Sequence, residues 1–178
     1  IADGVESIDS YAFDNCSSLT EVFIPDSVSD ISGGCFQSCQ NSLSIILAPT
    51  NLHFEIDQGV LFDKGRTRLL FYTTSSYKGY VIPNTVKTID ENAFYDCKKL
   101  TAITIPGSVE SIKAWAFRGC EDLTSINLPD SLVSIGDRAF CVCNRLTTLT
   151  IPENVTFIDG NPFAYCRNLQ SIGVAEGN

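Results

Sequence analysis

Residues 108–129 read SVESIKAWAFRGCEDLTSINLP, in which apolar residues, an Ala-Phe pair, a cysteine and a final proline follow in a fixed order. The same order occurs before and after this stretch, so that Val86, Val109, Leu132 and Val155 occupy one position at intervals of 23 residues (109 − 86). A unit of this length cannot bury a core alone, but stacked copies share one. The constant interval therefore predicts a solenoid.

The interval lengthens once, between Pro49 and Pro83, which lie 34 residues apart (83 − 49). We expect about seven rungs in all, because a longer unit can be accommodated within one continuous stack. The predicted single solenoid domain, 1–178, has regular repeats at 1–49, an irregular repeat at 50–83 and regular repeats at 84–178. The sequence begins and ends inside the repeat pattern, which predicts a piece of a longer protein.

In the irregular repeat, residues 59–72 contain two apolar segments on either side of Gly65, a pattern typical of a β-hairpin. The regular pattern resumes at Tyr77, Tyr80, Ile82 and Pro83. The hairpin is therefore predicted as an insertion within a continuous solenoid. The sequence leaves open whether it covers the strand-lined face or extends it.

Each regular unit ends in an alternating segment, which predicts a short strand whose successive side chains point to opposite sides. Ile103 and Ile105 are expected inside, and Ala102 and Thr104 outside. Stacked units pair these strands in a parallel sheet, which ends where proline has no N–H to donate. We place the V-x-x-I segment on the opposite wall and the Ala-Phe pair in a short helical or 3₁₀ turn. The predicted fold class is thus an α/β-type repeat solenoid.

The recurring pattern resembles the BspA-type leucine-rich repeat family. Residues 105–112 (IPGSVESI) and 116–120 (AFRGC) carry the resemblance, which covers nearly the whole chain apart from residues 50–82. It implies a leucine-rich-repeat solenoid on cell-surface or secreted proteins, mostly of bacteria that live with hosts and also of some protozoan parasites. It further implies adhesion to host matrix proteins and cell–cell aggregation. It supplies no catalytic residues and no fixed ligand.

A short polar residue stands where the general leucine-rich pattern places Asn or Cys. In six repeats this residue is Ser27, Asn51, Thr85, Ser108, Ser131 or Asn154. We expect its side chain to bond backbone groups of the turn that would otherwise be buried without partners.

The composition narrows the classes of partner. The net charge of −9 argues against nucleic acid, because phosphate binding requires a basic face. No apolar segment approaches the ~18 residues that suggest a membrane span, so no membrane insertion is predicted within this chain. Hydrophobic residues make up 44% of the chain and charged residues 19%, which indicates a folded protein.

Six of the eight cysteines recur at one repeat position: Cys16, Cys39, Cys97, Cys120, Cys143 and Cys166. The repeat sets this spacing, and a disulfide framework or a zinc site would not require it. We therefore interpret these cysteines as thiols of the core. Cys35 is interpreted as a substitute for the core alanine and Cys141 as a partly exposed thiol. The sequence does not decide whether either is reactive.

No arrangement of residues predicts an enzyme, a cofactor or a metal site. His53 is the sole histidine and lies near no nucleophile motif. The acidic residues follow no calcium-binding pattern and are interpreted as solvated charges of turns. They include Asp26, Asp30, Asp57, Asp63, Asp90, Glu91 and Asp130.

The concave face of the predicted sheet has a positive argument for binding, because solenoids use extended concave surfaces to hold partners. Its predicted outward positions are Glu21, Phe23, Ile45, Leu47, Gly79, Val81, Ala102, Thr104, Ser125, Asn127, Thr148, Thr150, Ser171 and Gly173. Phe23, Ile45 and Leu47 would form an apolar patch unless the hairpin covers them. The later positions are small or hydroxyl-bearing and suit either a binding strip or a neutral strand face.

We therefore predict a non-catalytic module of a cell-surface or secreted protein that binds host or neighbouring-cell proteins or glycans in adhesion. A structural spacer that presents another domain is the alternative. Aspartate in place of the apolar residues would abolish attachment by a binder and would leave a spacer unaffected.

Overall fold

The computed structural model describes residues 1–39, 43–73 and 78–175, which form a stack of short β-strands. One side, the long-strand wall, is lined by β2 (Glu21–Ile24), β4 (Ser44–Leu47), β8 (Gly79–Val81), β10 (Ala102–Thr104), β12 (Ser125–Asn127), β14 (Thr148–Ile151) and β16 (Ser171–Val174). The other side, the short-strand wall, contains β1 (Ser7–Ile8), β3 (Asp30–Ile31), β9 (Thr88–Ile89), β11 (Ser111–Ile112), β13 (Ser134–Ile135) and β15 (Phe157–Ile158). The irregular repeat contributes β5 (Phe54–Asp57), β6 (Val60–Asp63) and β7 (Arg68–Tyr72).

Neighbouring rungs pair in parallel, and equivalent residues of successive repeats face each other. Ile103 pairs with Ile126 on the long-strand wall, and Ile112 pairs with Ile135 on the short-strand wall. The alternation of each long strand places Ile103 inside and leaves Thr104 exposed. The two predicted walls and their inward residues are therefore confirmed in this part of the stack.

The predicted helical turn is wrong, because the described residues contain no α-helix and no 3₁₀ helix. Phe117 lies between Trp115, with φ of 57°, and Gly119, with φ of 75°. A right-handed helix requires φ of about −60° at consecutive residues, so it cannot pass through either position. The same two positions have positive φ at Tyr11 and Asn15, Asn92 and Asp96, and Arg138 and Val142. The fold is a β-solenoid of about seven turns, and the α/β fold class is incorrect.

The turns with positive φ form a third ladder between rungs. The N–H of Trp115 donates to the carbonyl of Asp137 at 3.0 Å, and the N–H of Phe117 donates to that of Ala139 at 2.7 Å. The left-handed residues thus direct alternate N–H groups toward the next rung. Backbone donors that a helix would satisfy within one turn are satisfied here by the neighbouring repeat.

The predicted hairpin is confirmed, and a preceding strand extends it to an antiparallel meander, β5–β6–β7. The two faces of the meander contribute to different cores. Leu61 and Phe71 join the core of the first two rungs, whereas Phe62 and Tyr72 join the core of the later rungs. The two hairpin strands are buried, so they form a partition inside the solenoid and do not cover the long-strand wall.

A column of aromatic rings runs through the core and crosses this partition. Phe94 and Phe117 stack with centroids 4.9 Å apart and an interplanar angle of 10°. Phe71 meets Phe36 at 5.5 Å, and the next residue, Tyr72, meets Phe94 at 4.9 Å. Since neighbouring strand residues point to opposite faces, these two residues continue the column on both sides of the meander.

The rung after the meander resumes close to the prediction. Ile82 is buried, and Tyr80 pairs with Ile103 on the long-strand wall. Tyr77, which was predicted to begin this rung, lies outside the described residues. After the meander, the register of the stack is therefore described from β8 onward.

Candidate binding surface

Most predicted outward positions of the long-strand wall are exposed: Glu21, Phe23, Gly79, Val81, Ala102, Thr104, Ser125, Asn127, Thr148, Thr150, Ser171 and Gly173. The placement of Ile45 and Leu47 on this face is wrong. Ile45 is only 8% exposed, whereas Ile46 is 41% exposed. The cause is the register between β2 and β4, in which Ile45 pairs with Val22 and Ile46 pairs with Phe23.

Three large apolar side chains are exposed at the same outward position of the long-strand wall and are called the apolar patch here: Phe23, Ile46 and Val81. Their exposed fractions are 42%, 41% and 69%. Phe23 and Ile46 are cross-strand partners, and Val81 occupies the corresponding outward position in β8, where it pairs with Thr104. Large apolar side chains grouped at the surface mark interaction sites more often than scattered ones do.

The later rungs present a different surface at the same position. Thr104 pairs with Asn127, and Thr150 pairs with Gly173 two strands further along. These side chains are small and exposed, so they form a flat strip of hydroxyl and amide groups. From β2 to β14 the outward position of the long-strand wall therefore changes from apolar to polar, whereas the last strand, β16, exposes Ile172 and Val174.

Four cysteines at the repeated position are buried core thiols, as predicted: Cys39, Cys97, Cys120 and Cys143. The prediction is wrong for Cys16, which is exposed, and Cys166 is only half-buried. Each of the eight cysteines is free. Cys120 Sγ donates to the carbonyl of Phe94 at 3.2 Å, and Cys143 Sγ donates to that of Phe117 at 3.3 Å. Burial raises the pKa of Cys97, Cys120 and Cys143 above the ordinary thiol range. Cys120 and Cys143 are neutral hydrogen-bond donors between rungs, a role that the sequence did not predict.

The two cysteines outside this series are both buried. Cys35 occupies the core as predicted, and burial raises its pKa to about 12. Cys141 is only 2% exposed, so the prediction of a partly exposed thiol is wrong. Neither thiol is accessible to reagents in the folded protein, whereas Cys16 of the first repeat is exposed.

The short polar residue of each turn has the predicted structural role at several repeats. Ser108 Oγ donates to the carbonyl of Val86, and Ser131 Oγ donates to that of Val109, both at 2.7 Å. Ser27 makes the equivalent bond to the first repeat. These side chains satisfy buried turn carbonyls of the preceding rung, so they belong to the scaffold.

The isolated titratable residues are placed in different environments. His53 is exposed beside Phe54. Asp90 was predicted to be solvated, but it is 8% exposed and accepts hydrogen bonds from Nε and Nη2 of Arg68. Within residues 1–39, 43–73 and 78–175, no group of three or more His, Cys, Asp or Glu side chains could hold a metal ion. The same ranges contain no helix long and apolar enough to cross a bilayer.

A sequence profile for BspA type leucine rich repeat regions matches the chain in six copies, over residues 1–62 and 67–178. The chain belongs to the BspA-type leucine-rich repeat family. The profile leaves out only residues 63–66, at the turn between β6 and β7. The meander is therefore part of the repeat region.

Solved structures share the architecture of this BspA-type chain. A leucine-rich repeat protein from Eubacterium ventriosum is 28% identical over 97% of this chain and 53% of that one, with a TM-score of 0.82. A leucine rich cell surface protein from Faecalibacterium prausnitzii is 24% identical over 99% of this chain and 59% of that one, with a TM-score of 0.82. A leucine-rich repeat protein from Bacteroides capillosus is 28% identical over 70% of this chain and 99% of that one, with a TM-score of 0.64.

The chain spans just over half the length of the first two of these structures. No curated protein sequence matches it.

Proposed function

We propose that this chain is a non-catalytic binding module of a cell-surface or secreted protein, and that the apolar patch of Phe23, Ile46 and Val81 binds a host or neighbouring-cell protein in adhesion. The observation that carries the proposal is the exposure of these three side chains at the same outward position of the long-strand wall, where Phe23 and Ile46 are cross-strand partners and Val81 lies beyond the irregular repeat. Apolar side chains on β-strands are held by a rigid backbone, so less conformational entropy is lost when a partner binds.

The cell-surface location is supported by the family and by the name of the Faecalibacterium prausnitzii protein, a leucine rich cell surface protein. The change from apolar to polar side chains between β8 and β10 of the long-strand wall supports an interface with an apolar centre and a polar flank. Protein interfaces commonly have an apolar core and a polar rim. Thr104 is the cross-strand partner of Val81, so the polar strip begins beside the patch.

The test replaces the apolar patch by charge. A variant with Phe23→Asp, Ile46→Asp and Val81→Asp keeps its core, because all three side chains point outward. Attachment to immobilised matrix proteins and to host cells should fall by at least about tenfold, as expected for the central residues of an interface. The matched control carries Val133→Asp and Tyr165→Asp, two exposed apolar residues outside the long-strand wall, and should attach normally.

Equal attachment by the patch variant and the unmodified chain would reject the apolar patch as the binding surface. In that case the spacer interpretation, in which the wall has no partner, becomes the better one. Thermal unfolding of both variants shows whether the wall remains folded.

A further inference from the structure

A groove lies on the short-strand wall, on the opposite side of the solenoid from the apolar patch. It has a volume of about 460 Å³ and runs along β11, β13 and β15 where the wall meets the turns. Pockets that hold small ligands typically have volumes of about 300–1,000 Å³. The groove is therefore large enough for a small organic molecule and is separate from the surface discussed above.

The absence of a side chain at Gly136 opens the middle of the groove. Gly136 occupies the repeat position that holds Lys113 in the rung before and Asp159 in the rung after. A Cβ at this residue would lie 2.4 Å from the backbone nitrogen of Ala114, so only glycine fits. The side chains of Lys113 and Asp159 are therefore separated by one rung that has no side chain at this position.

The floor and sides of the groove carry hydrogen-bonding groups. Ser134 Oγ donates to Ser111 Oγ at 2.9 Å. Asp90 also lines the groove, and its Oδ2 accepts both hydrogen bonds from Arg68. In the part of the chain that the structure describes, Lys113 makes no ion pair. The lining thus combines hydroxyl groups, carboxylate oxygens and one ammonium group.

An exposed aromatic ring forms one end of the groove. Phe157 is 58% exposed and occupies the outward position of β15, where its cross-strand partner is Ser134. The equivalent residues of the two preceding rungs, Ser134 and Ser111, are small. The ring therefore borders the groove as a flat apolar surface next to polar groups.

We propose that this groove binds a neutral saccharide, with the sugar ring against Phe157 and its hydroxyl groups bonded to Asp159, Asp90 and the two serines. The carboxylates disfavour an anionic ligand, because like charges repel. Glu91 also lines the groove, but Lys113 and the Arg68 that pairs with Asp90 offset most of the negative charge that would attract a cation. A neutral ring rich in hydroxyl groups uses both donors and acceptors, and its C–H faces can bury the exposed aromatic surface.

The test is a calorimetric or NMR titration of the 178-residue chain with neutral monosaccharides and disaccharides, with glucuronic acid and with a lysine-rich peptide. At least one neutral sugar should saturate the site with Kd on the order of 1 mM or tighter. Phe157→Ala should weaken binding about tenfold, and Phe157→Tyr should preserve it. Asp159→Asn should also weaken binding, while Phe23→Asp on the opposite wall should leave it unchanged.

The chain should also bind the same sugars when they are coupled to a surface. Tighter binding to the coupled sugars than to the free sugars would assign the groove to cell-surface glycans. The absence of saturable binding to every neutral sugar would overturn the proposal, as would a preference for glucuronic acid or the peptide. Equal binding by Phe157→Ala would also overturn it. Since the control variant alters only the long-strand wall, failure of this site is distinguishable from failure of the apolar patch.

Discussion

The Tyr11 hydroxyl donates a hydrogen bond of 2.6 Å to Glu91 Oε1, although the two residues lie 80 positions apart in the chain. The turn of the second rung, at Gly33 and Gly34, lies between them and has no side chains to obstruct the contact. The Tyr11 ring lies 3.6 Å from the place of a Cβ on Gly34. At this corner the second rung therefore meets the rung after the meander directly.

The close approach at Gly33 predicts that Gly33→Ala destabilises the fold. A Cβ there would lie 2.7 Å from Glu91 Cβ and 2.9 Å from Glu91 N, so the two rungs must move apart. We expect the free energy of unfolding to fall by about 1–3 kcal/mol, as for other overpacked sites. Urea denaturation measures this change.

Gly107→Ala is the matched control, since a Cβ at Gly107 would meet nothing within 4 Å. Its effect should stay within about 0.5 kcal/mol. Equal effects of the two substitutions would show that the corner is not closely packed.

The repeat interval allowed both walls and their inward residues to be predicted, because stacking forces equivalent residues to face each other. The same interval gives the correct register of β4, where the predicted inward and outward residues were wrong. Counting 23 residues from Val22 leads to Ile45, whereas the local pattern after Leu43 pointed to Ile46. A run of three apolar residues at 45–47 contains no alternation, so only the neighbouring rung decides which side chain is buried.

The turns could not be predicted in the same way. An Ala-Phe pair is compatible with a helical turn, and the outcome depends on φ at the two flanking positions. One of these holds Asn15, Asp96 and Gly119, residue types that tolerate positive φ, but also Val142, which does not favour it. Bonds to the next rung impose the left-handed backbone, and a single repeat read alone does not contain them.

The aromatic column predicts a large effect of Phe117→Ala. Phe117 is fully buried and stacks on Phe140 at 5.3 Å as well as on Phe94. Removal of the ring leaves a cavity between rungs, and the free energy of unfolding should fall by about 3–5 kcal/mol. Phe23→Ala, at an exposed position, should cost less than about 1 kcal/mol. Similar losses in chemical denaturation for both variants would contradict the column as a main source of stability.

The buried amide of Asn51 predicts a second large effect. Its Nδ2 donates to the carbonyls of Pro25 and Val28 at 2.9 and 3.3 Å, and its Oδ1 accepts from the N–H groups of His53 and Phe54 at 2.9 and 3.1 Å. Asn51→Ala leaves several buried backbone groups without partners and should cost about 3 kcal/mol.

Ser108→Ala removes a single bond at the corresponding turn and should cost about 1 kcal/mol. Urea denaturation measures both changes. If Asn51→Ala lowers the free energy of unfolding no more than Ser108→Ala does, water replaces the hydrogen bonds of the amide.

The buried thiols predict a loss of stability at alkaline pH. Burial raises the pKa of Cys35 from 9.0 to about 12 in the folded state, so between these values the unfolded chain loses a proton that the folded chain retains. The contribution of this group is fully present below pH 9 and is lost as the pH rises toward 12. Cys97, Cys120 and Cys143 shift in the same direction, which should steepen the decline.

Urea denaturation at a series of pH values from 7 to 11 checks this dependence. Cys120→Ala should flatten the decline, whereas Cys16→Ala, at an exposed site, should not change it. A decline that is the same in all three proteins would assign the alkaline sensitivity to other groups.

The burial of the thiols also predicts their order of modification by a thiol reagent. In the folded protein Cys16 should react first, Cys166 more slowly because it is half-buried, and the other six only as the protein unfolds. In denaturant without reductant all eight should react, since none is in a disulfide. Four or fewer reactive thiols in the unfolded protein would mean that cysteines of neighbouring rungs are joined. Fast modification of Cys120 in the folded protein would contradict the closed core, because its Sγ lies between Phe94 and the next rung with no exposure to solvent.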